Sequence, residues 1–192
     1  MKKICGLTTL PITIKSFMLG NLNYMADNGY KAYAISQPGE VLQKEHLGKV
    51  QFLPLLIKHG NVSPLEVFKT IWKLYKVFKK EQFDIIQHAT SNAALYACIA
   101  GWMARIPVRI YCQWGISYTD YHGMYLWFYK LMEKAACIFS TSVQPDSPSN
   151  LKFSIEEGLY EASKGHVLLN GSATGVDLTK YDYSMKKEWS KD

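Results

Sequence analysis

The sequence predicts an α/β domain, a Rossmann-like parallel sheet with helices on both faces. Short apolar runs of strand length alternate with longer segments of helical period along nearly the whole chain. Turn and cap residues fall at the junctions between them. The length of 192 residues fits one domain, which buries roughly 70% of its unfolded surface and has no need of disulfide staples.

Each element has its own signal. Lys3 to Leu7 is the first apolar run, and Phe17 to Asn28 follows with helical period until Asn28-Gly29 stops it. Ala32 to Ile35 and Val50 to Leu53 are the next expected strands. Ser63 then caps, and Pro64 opens, a helix reaching Glu81, in which Val67, Ile71, Leu74 and Phe78 recur as a core stripe. Asp84 to Gln87 reads as a strand leading into the helix Asn92 to Ala104, which Ile106-Pro107 closes. Strands at Arg109 to Cys112, Ile138 to Thr141 and Val167 to Leu169 and helices at Met124 to Ala136 and Pro148 to Glu157 complete the pattern. In such a sheet ligands lie beyond the carboxyl ends of the strands, so the informative loops follow Leu7, Gln87, Cys112, Thr141 and Leu169.

Composition narrows the function. The apolar run at the N-terminus breaks at Thr8-Thr9 and Pro11, too soon for a signal peptide. The longest apolar stretch, Ala93 to Ala104, is shorter than the roughly 20 residues of a spanning helix. Cys5, Cys98, Cys112 and Cys137 lie far apart without metal spacing, as buried reduced thiols of a cytoplasmic protein do. A formal charge of +6 favours anionic partners.

Five loops are candidate sites. Thr8 to Ser16 carries Thr9, Lys15 and Ser16 ahead of a helix N-terminus, where backbone amides meet anions, and it lacks the glycine fingerprint of dinucleotide cofactors. Gln87 to Asn92 offers His88, Thr90, Ser91 and Asn92; Ser91 or Asn92 is placed to cap the next helix, and His88 is either a substrate contact or a structural residue. Gln113-Trp114-Gly115 opens a loop of aromatic, amide, hydroxyl and carboxylate groups, which suits the alternating C–H patches and hydroxyls of a sugar. Gly115 there lets the backbone approach a ligand, although a buried Trp beside a turn reads equally well. Gln144 to Pro148 is explained by Asp146 or Ser147 as a helix cap. Asn170, Gly171, Ser172, Gly175 and Asp177 lie in a loop of small residues that reads as an interdomain joint lining a cleft or as a surface turn.

The helix from Pro64 to Glu81 sets Lys69, Lys73, Lys76 and Lys80 opposite its core stripe, with Phe68, Trp72 and Tyr75 along one flank. That face suits an anionic membrane surface, where each lysine adds about 1 kcal/mol, or it is simply solvated. A second aromatic cluster, Tyr121, Tyr125, Trp127, Phe128 and Tyr129, extends that surface or receives a lipid-linked substrate. No nucleic-acid motif is present.

Four segments resemble bacterial family 4 glycosyltransferases of capsule and exopolysaccharide synthesis, enzymes of the two-domain GT-B fold: Phe83 to Leu95, Ile106 to Ile116, Pro145 to Glu157 and Asn170 to Leu178. The resemblance implies that residues 1–178 are the acceptor-binding N-terminal half of a retaining glycosyltransferase, and that 179–192 begin an interdomain linker whose donor domain is absent. It implies a polyprenyl-diphosphate-linked saccharide as acceptor and no cofactor or metal. The donor is a nucleotide-sugar, UDP-linked, held by the missing domain, which a separately encoded partner could supply. By resemblance Thr9, Lys15, Ser16, His88, Thr90, Ser91 and Asn92 fall at the acceptor, and Gln113, Trp114, Gly115, Asn170, Gly171, Ser172, Gly175 and Asp177 line the donor-sugar cleft. The expected location is the cytoplasm, peripheral at the inner face of the cell membrane. Trp114 stands where many relatives carry histidine, which removes a general base from that position. A catalytically silent module that binds lipid-linked saccharide or membrane is the competing expectation.

Overall fold

The computed structural model describes residues 1–43, 45, 47–58, 63–175, 178, 182 and 184. Its sheet has six strands: β1 (Lys3–Leu7), β2 (Lys31–Ser36), β3 (Gln51–Pro54), β4 (Ile85–His88), β5 (Val108–Gln113) and β6 (Ser142–Pro145). All five neighbouring pairs are parallel, in the spatial order β3-β2-β1-β4-β5-β6. The Rossmann-like α/β architecture expected from the alternating pattern is the one observed.

Period-2 alternation sorts the strand residues between two faces. Ile4, Ala32 and Ala34 pack with Ile14, Met18 and Leu22, whereas Cys5, Leu7, Tyr33, Ile35 and Ile86 pack with residues of two other helices, α2 (Pro64–Glu81) and α3 (Ser91–Met103). On the first face, α1 (Leu19–Asp27) continues a short helical turn, Pro11–Thr13, and a widened π turn, Ile14–Met18. Helical structure therefore begins at Pro11, six residues before Phe17, because Pro11 presets the backbone at the first helical position. The π turn brings both Ile14 and Met18 into the core.

On the second face α3 packs between α2 and α4 (Gly123–Phe139), and burial on nearly all sides explains why its sequence is apolar throughout. A third cluster joins Ala94 and Cys98 of α3, Tyr111 of β5 and Cys137 of α4 to Val143 and Leu159. All four cysteines are buried and unpaired. Burial pushes the thiols of Cys98 and Cys112 up to about 12, which keeps them protonated.

The expected caps at Ser63 and Ser147 form, whereas α3 starts at Ser91 behind Thr90, so neither Ser91 nor Asn92 caps it. Ser63 accepts a hydrogen bond from the Glu66 amide at the start of α2, and Ser147 accepts one from the Asn150 amide at the start of α5 (Pro148–Glu156). Two expected strands fall elsewhere. Ile138 and Phe139 form the last turn of α4 and the strand starts at Ser142, because two apolar residues after a long helix satisfy helical and strand periods alike. Val167–Leu169 is no strand: the chain makes one bridge, Val143 to Gly165, then leaves the sheet edge, and Leu169 is 99% exposed.

Phe78 of α2 is 1% exposed and meets Phe83 edge-on with ring centroids 5.8 Å apart. Phe78→Ala is expected to lower stability by about 3–5 kcal/mol, the cost of a large buried aromatic cavity. Urea unfolding at pH 7 tests this, and a loss under about 1 kcal/mol would mean that α2 does not anchor the second face.

Candidate functional site

The sheet order reverses between β1 and β4, so the chain leaves these neighbours toward opposite faces and a crevice opens at their carboxyl ends. Leu7 and His88 stand in register there, and Thr9 and Thr90 follow them. The Thr9 amide donates to Thr90 Oγ1 at 3.1 Å, and the two hydroxyls lie 2.8 Å apart. Thr90 adopts φ 67°, ψ 134°, a conformation a β-branched residue rarely takes. Its hydroxyl is turned to Thr9 and makes no capping hydrogen bond, which leaves first-turn amides of α3 without that partner at the crevice.

Two adjoining cavities lie over this point. One, of about 330 Å³, is lined by Thr9, Thr90, Ser91, Asn92 and Ser117, with Tyr121 and Tyr129 as an aromatic wall. The other, of about 250 Å³, shares Thr90, Ser91 and Ser117 and adds Trp114, Gly115 and Ile116. Ser91 and Ser117 hydroxyls meet at 3.2 Å across the shared boundary, and the Asn92 amide donates to the Lys58 carbonyl at 3.2 Å. Tyr121 stacks on Tyr129 with centroids 4.4 Å apart. Trp114 leans on Phe17 of the π turn at 5.1 Å, tying the β5 loop to the first loop across the crevice. A hydroxyl floor beside stacked rings matches the hydroxyls and C–H faces of a sugar. Among the described residues no cluster of metal-ligating side chains is present.

The structure brings Thr9, Thr90, Ser91, Asn92, Trp114 and Gly115 together and sets the other candidates elsewhere. Lys15 and Ser16 are exposed on the π turn and line neither cavity. Asn170, Gly171, Ser172 and Gly175 lie beyond the end of β6: the Ser172 amide donates to the Asp146 carbonyl at 2.6 Å. Gly171 has φ 90°, and a β-carbon there would collide with that same carbonyl, so only glycine fits. Asp177 lies outside the described residues.

Gln113 and His88 are fully buried. Gln113 is the hub of a network that positions the β5 loop. Its Nε2 donates to Glu133 Oε1 at 2.7 Å, and its Oε1 accepts from Ser154 at 3.1 Å and Tyr160 at 3.0 Å. Tyr111 donates to the same carboxylate at 2.9 Å. Burial raises the Glu133 pKa, and the hydrogen bonds from Gln113 and Tyr111 oppose that rise. Sequence reading missed Glu133, although its place at i+4 from Tyr129 and i−4 from Cys137, on the inner face of a helix, marks it as a buried acid.

His88 stacks on Tyr111 at 5.6 Å, and its Nε2 lies 3.3 Å from Ser140 Oγ. Ser140 donates its only proton to the Ala136 carbonyl, so His88 is the donor in that pair and its unpartnered Nδ1 carries no proton. Burial, aided by Arg109, pushes its pKa down to about 3, and the ring is neutral at physiological pH. The unfolded chain protonates a histidine near 6.5, so it binds more protons than the folded state below that pH. Stability is therefore lost as the pH falls from about 6.5 toward 3. His88→Phe, which retains the stack, is expected to reduce the slope of stability between pH 6 and 4 by up to about 1.4 kcal/mol per unit. Urea titrations at both pH values check this; an unchanged slope would refute the assignment.

Comparison with known proteins shows the family and the fold. The capsular polysaccharide biosynthesis glycosyltransferase CapM of Staphylococcus aureus is 25% identical over 186 residues, covering 97% of this chain and 48% of CapM. A UDP-Gal:alpha-D-GlcNAc-diphosphoundecaprenol alpha-1,3-galactosyltransferase of Escherichia coli is 28% identical over 138 residues, covering 71% of this chain and 34% of that enzyme. The chain thus spans about half or less of the length of these curated relatives. A glycosyltransferase crystal structure from Rickettsia africae superposes with a TM-score of 0.68 at 14% identity, over 99% of this chain and 49% of its own, and so shares the fold. The Glycosyl transferase 4-like family matches residues 4–146, three-quarters of the chain and all six strands, and the protein belongs to that family.

Proposed function

We propose that the chain is the acceptor-binding half of a retaining glycosyltransferase that moves a sugar from a nucleotide-sugar to a lipid-linked saccharide in cell-surface polysaccharide synthesis. The observation that carries this reading is the crevice between β1 and β4, where paired threonines and stacked tyrosines line a cavity of about 330 Å³. Ser91, Asn92 and Ser117 offer hydrogen bonds to a terminal sugar, and Tyr121 and Tyr129 offer a ring face. The galactosyltransferase relative acts on a GlcNAc-diphosphoundecaprenol, so the acceptor proposed here is a saccharide on a polyprenyl diphosphate. Trp114 and Gly115 then face the donor sugar, and a UDP-linked donor is held by a second domain, in the same polypeptide or separately encoded.

A peripheral position at the inner membrane face is part of the proposal. Lys69, Lys73, Lys76 and Lys80 are exposed along α2, and Trp72 stacks between Phe68 and Tyr75 with Lys76 over its ring. No described helix is long and apolar enough to cross a membrane. The second reading, a catalytically silent lipid-saccharide module, is favoured by the burial of His88, which withdraws that imidazole from the cleft.

Titration of the chain with a short-chain polyprenyl-diphosphate GlcNAc should give saturable binding. Ser117→Ala and Tyr121→Ala, at exposed positions, should each weaken it about fivefold, the worth of one hydrogen bond or one ring contact. Absence of binding, or variants that bind like the parent, would overturn the acceptor assignment. Sugar transfer in the presence of the donor domain then separates the enzyme from the silent module.

A further inference from the structure

We infer that the first two turns of α4, not the lysine face of α2, are the element that enters the lipid bilayer, and that they set the acceptor cavity at the membrane surface. Every residue from Tyr121 to Phe128 is exposed. Met124 is 83% exposed, Tyr125 67% and Trp127 66%, and Leu126, Phe128 and Leu131 are exposed as well. A helix start that is apolar on all sides and open to solvent suits a medium that surrounds it, such as the interfacial zone of a bilayer. Tyr and Trp beside Met, Leu and Phe are the mixture that settles at headgroup depth, with ring edges toward water and side chains toward acyl groups.

This inference rests on the acceptor reading in one respect. Tyr121 and Tyr129, at the foot of the ridge, are also the aromatic wall of the cavity. A saccharide seated against Thr9 and Ser91 leaves the cavity past this wall, so its lipid is drawn along the ridge without crossing water. The ridge itself is nearly free of charge: Lys130, at its base, is paired with Glu157 at 2.7 Å. Lys134 follows one turn after Lys130, and the row of Lys69, Lys73, Lys76 and Lys80 stands on α2, on the other side of α3. The two surfaces therefore divide the work, with insertion by α4 and attraction of anionic headgroups by α2.

The test is vesicle flotation of the chain with phosphatidylcholine vesicles and with vesicles containing phosphatidylglycerol. The parent is expected to bind both, the neutral ones with little dependence on salt. Combined Met124→Ser, Trp127→Ser and Phe128→Ser should lower partitioning on both about tenfold or more. Combined Lys69→Glu, Lys73→Glu, Lys76→Glu and Lys80→Glu should abolish only the phosphatidylglycerol increment. Far-ultraviolet circular dichroism confirms that each variant is folded. As an independent check, brominated lipid should quench the parent more than Trp127→Phe. A parent that stays off both vesicles, a ridge variant that floats like the parent, or a lysine variant that loses neutral vesicles would each overturn the inference. Ridge-dependent self-association without flotation would assign the surface to a second copy of the chain instead. Because no acceptor is present, vesicle binding with failed saccharide titration overturns only the acceptor reading, and the converse overturns only this one.

Discussion

A parallel sheet can leave a groove at its carboxyl edge only where two neighbouring strands send their chains to opposite faces, and in this protein that place is the β1/β4 boundary. Everything described at the site depends on it. Elsewhere along the edge the connections lean the same way. At the reversal they part, and the Thr9–Thr90 pairing spans the gap at the level of the backbone. The positive φ of Thr90 is the cost of that span, about 1–3 kcal/mol for such a residue, held in place by the buried first turns of α3 on one side and β1 on the other.

The two walls of the groove are built by different physics. The floor is made of short hydroxyl side chains at strand ends, positioned by the sheet register itself. The β5 side is instead a loop that would be free to move were it not for the buried network beneath it. Glu133 sits in an apolar setting that opposes its charge, and Gln113 and Tyr111 satisfy it while Ser154 and Tyr160 hold Gln113 in turn. That polar cluster links α4, β5 and the segment around α5. Losing one member would leave the others buried without partners, so the start of the Trp114–Gly115 loop is held more firmly than its surface position suggests.

Helix α4 connects these features. Its inner face carries Glu133 into the network, its middle turn carries Tyr129 into the cavity, and its first turns carry the exposed aromatic ridge. One continuous helix thus relates the height of the ridge to the position of the cavity, because an α-helix rises about 1.5 Å per residue. The lysines of α2 are separated from this line by α3.

The sequence by itself determined the class of fold, the order of the elements and the caps at Ser63 and Ser147, because hydrophobic period and capping chemistry act between residues close in the chain. It also marked Thr9, Thr90, Ser91 and Asn92, since strand-end loops in a sheet of this type are known before the sheet is assembled. Where two periods fit, as at Ile138 and Phe139, or where an apolar run turns away from the sheet edge after a single bridge, as at Val167 to Leu169, local signals misled. Tertiary structure alone decided which loops meet. It drew His88 and Gln113 into the core, set Asn170 to Gly175 beside Asp146 at the end of β6, and left the first turns of α4 uncovered. Burial, pairing across the sheet and the partners of a buried acid such as Glu133 are properties of residues far apart in sequence, and only the packed chain brings them together.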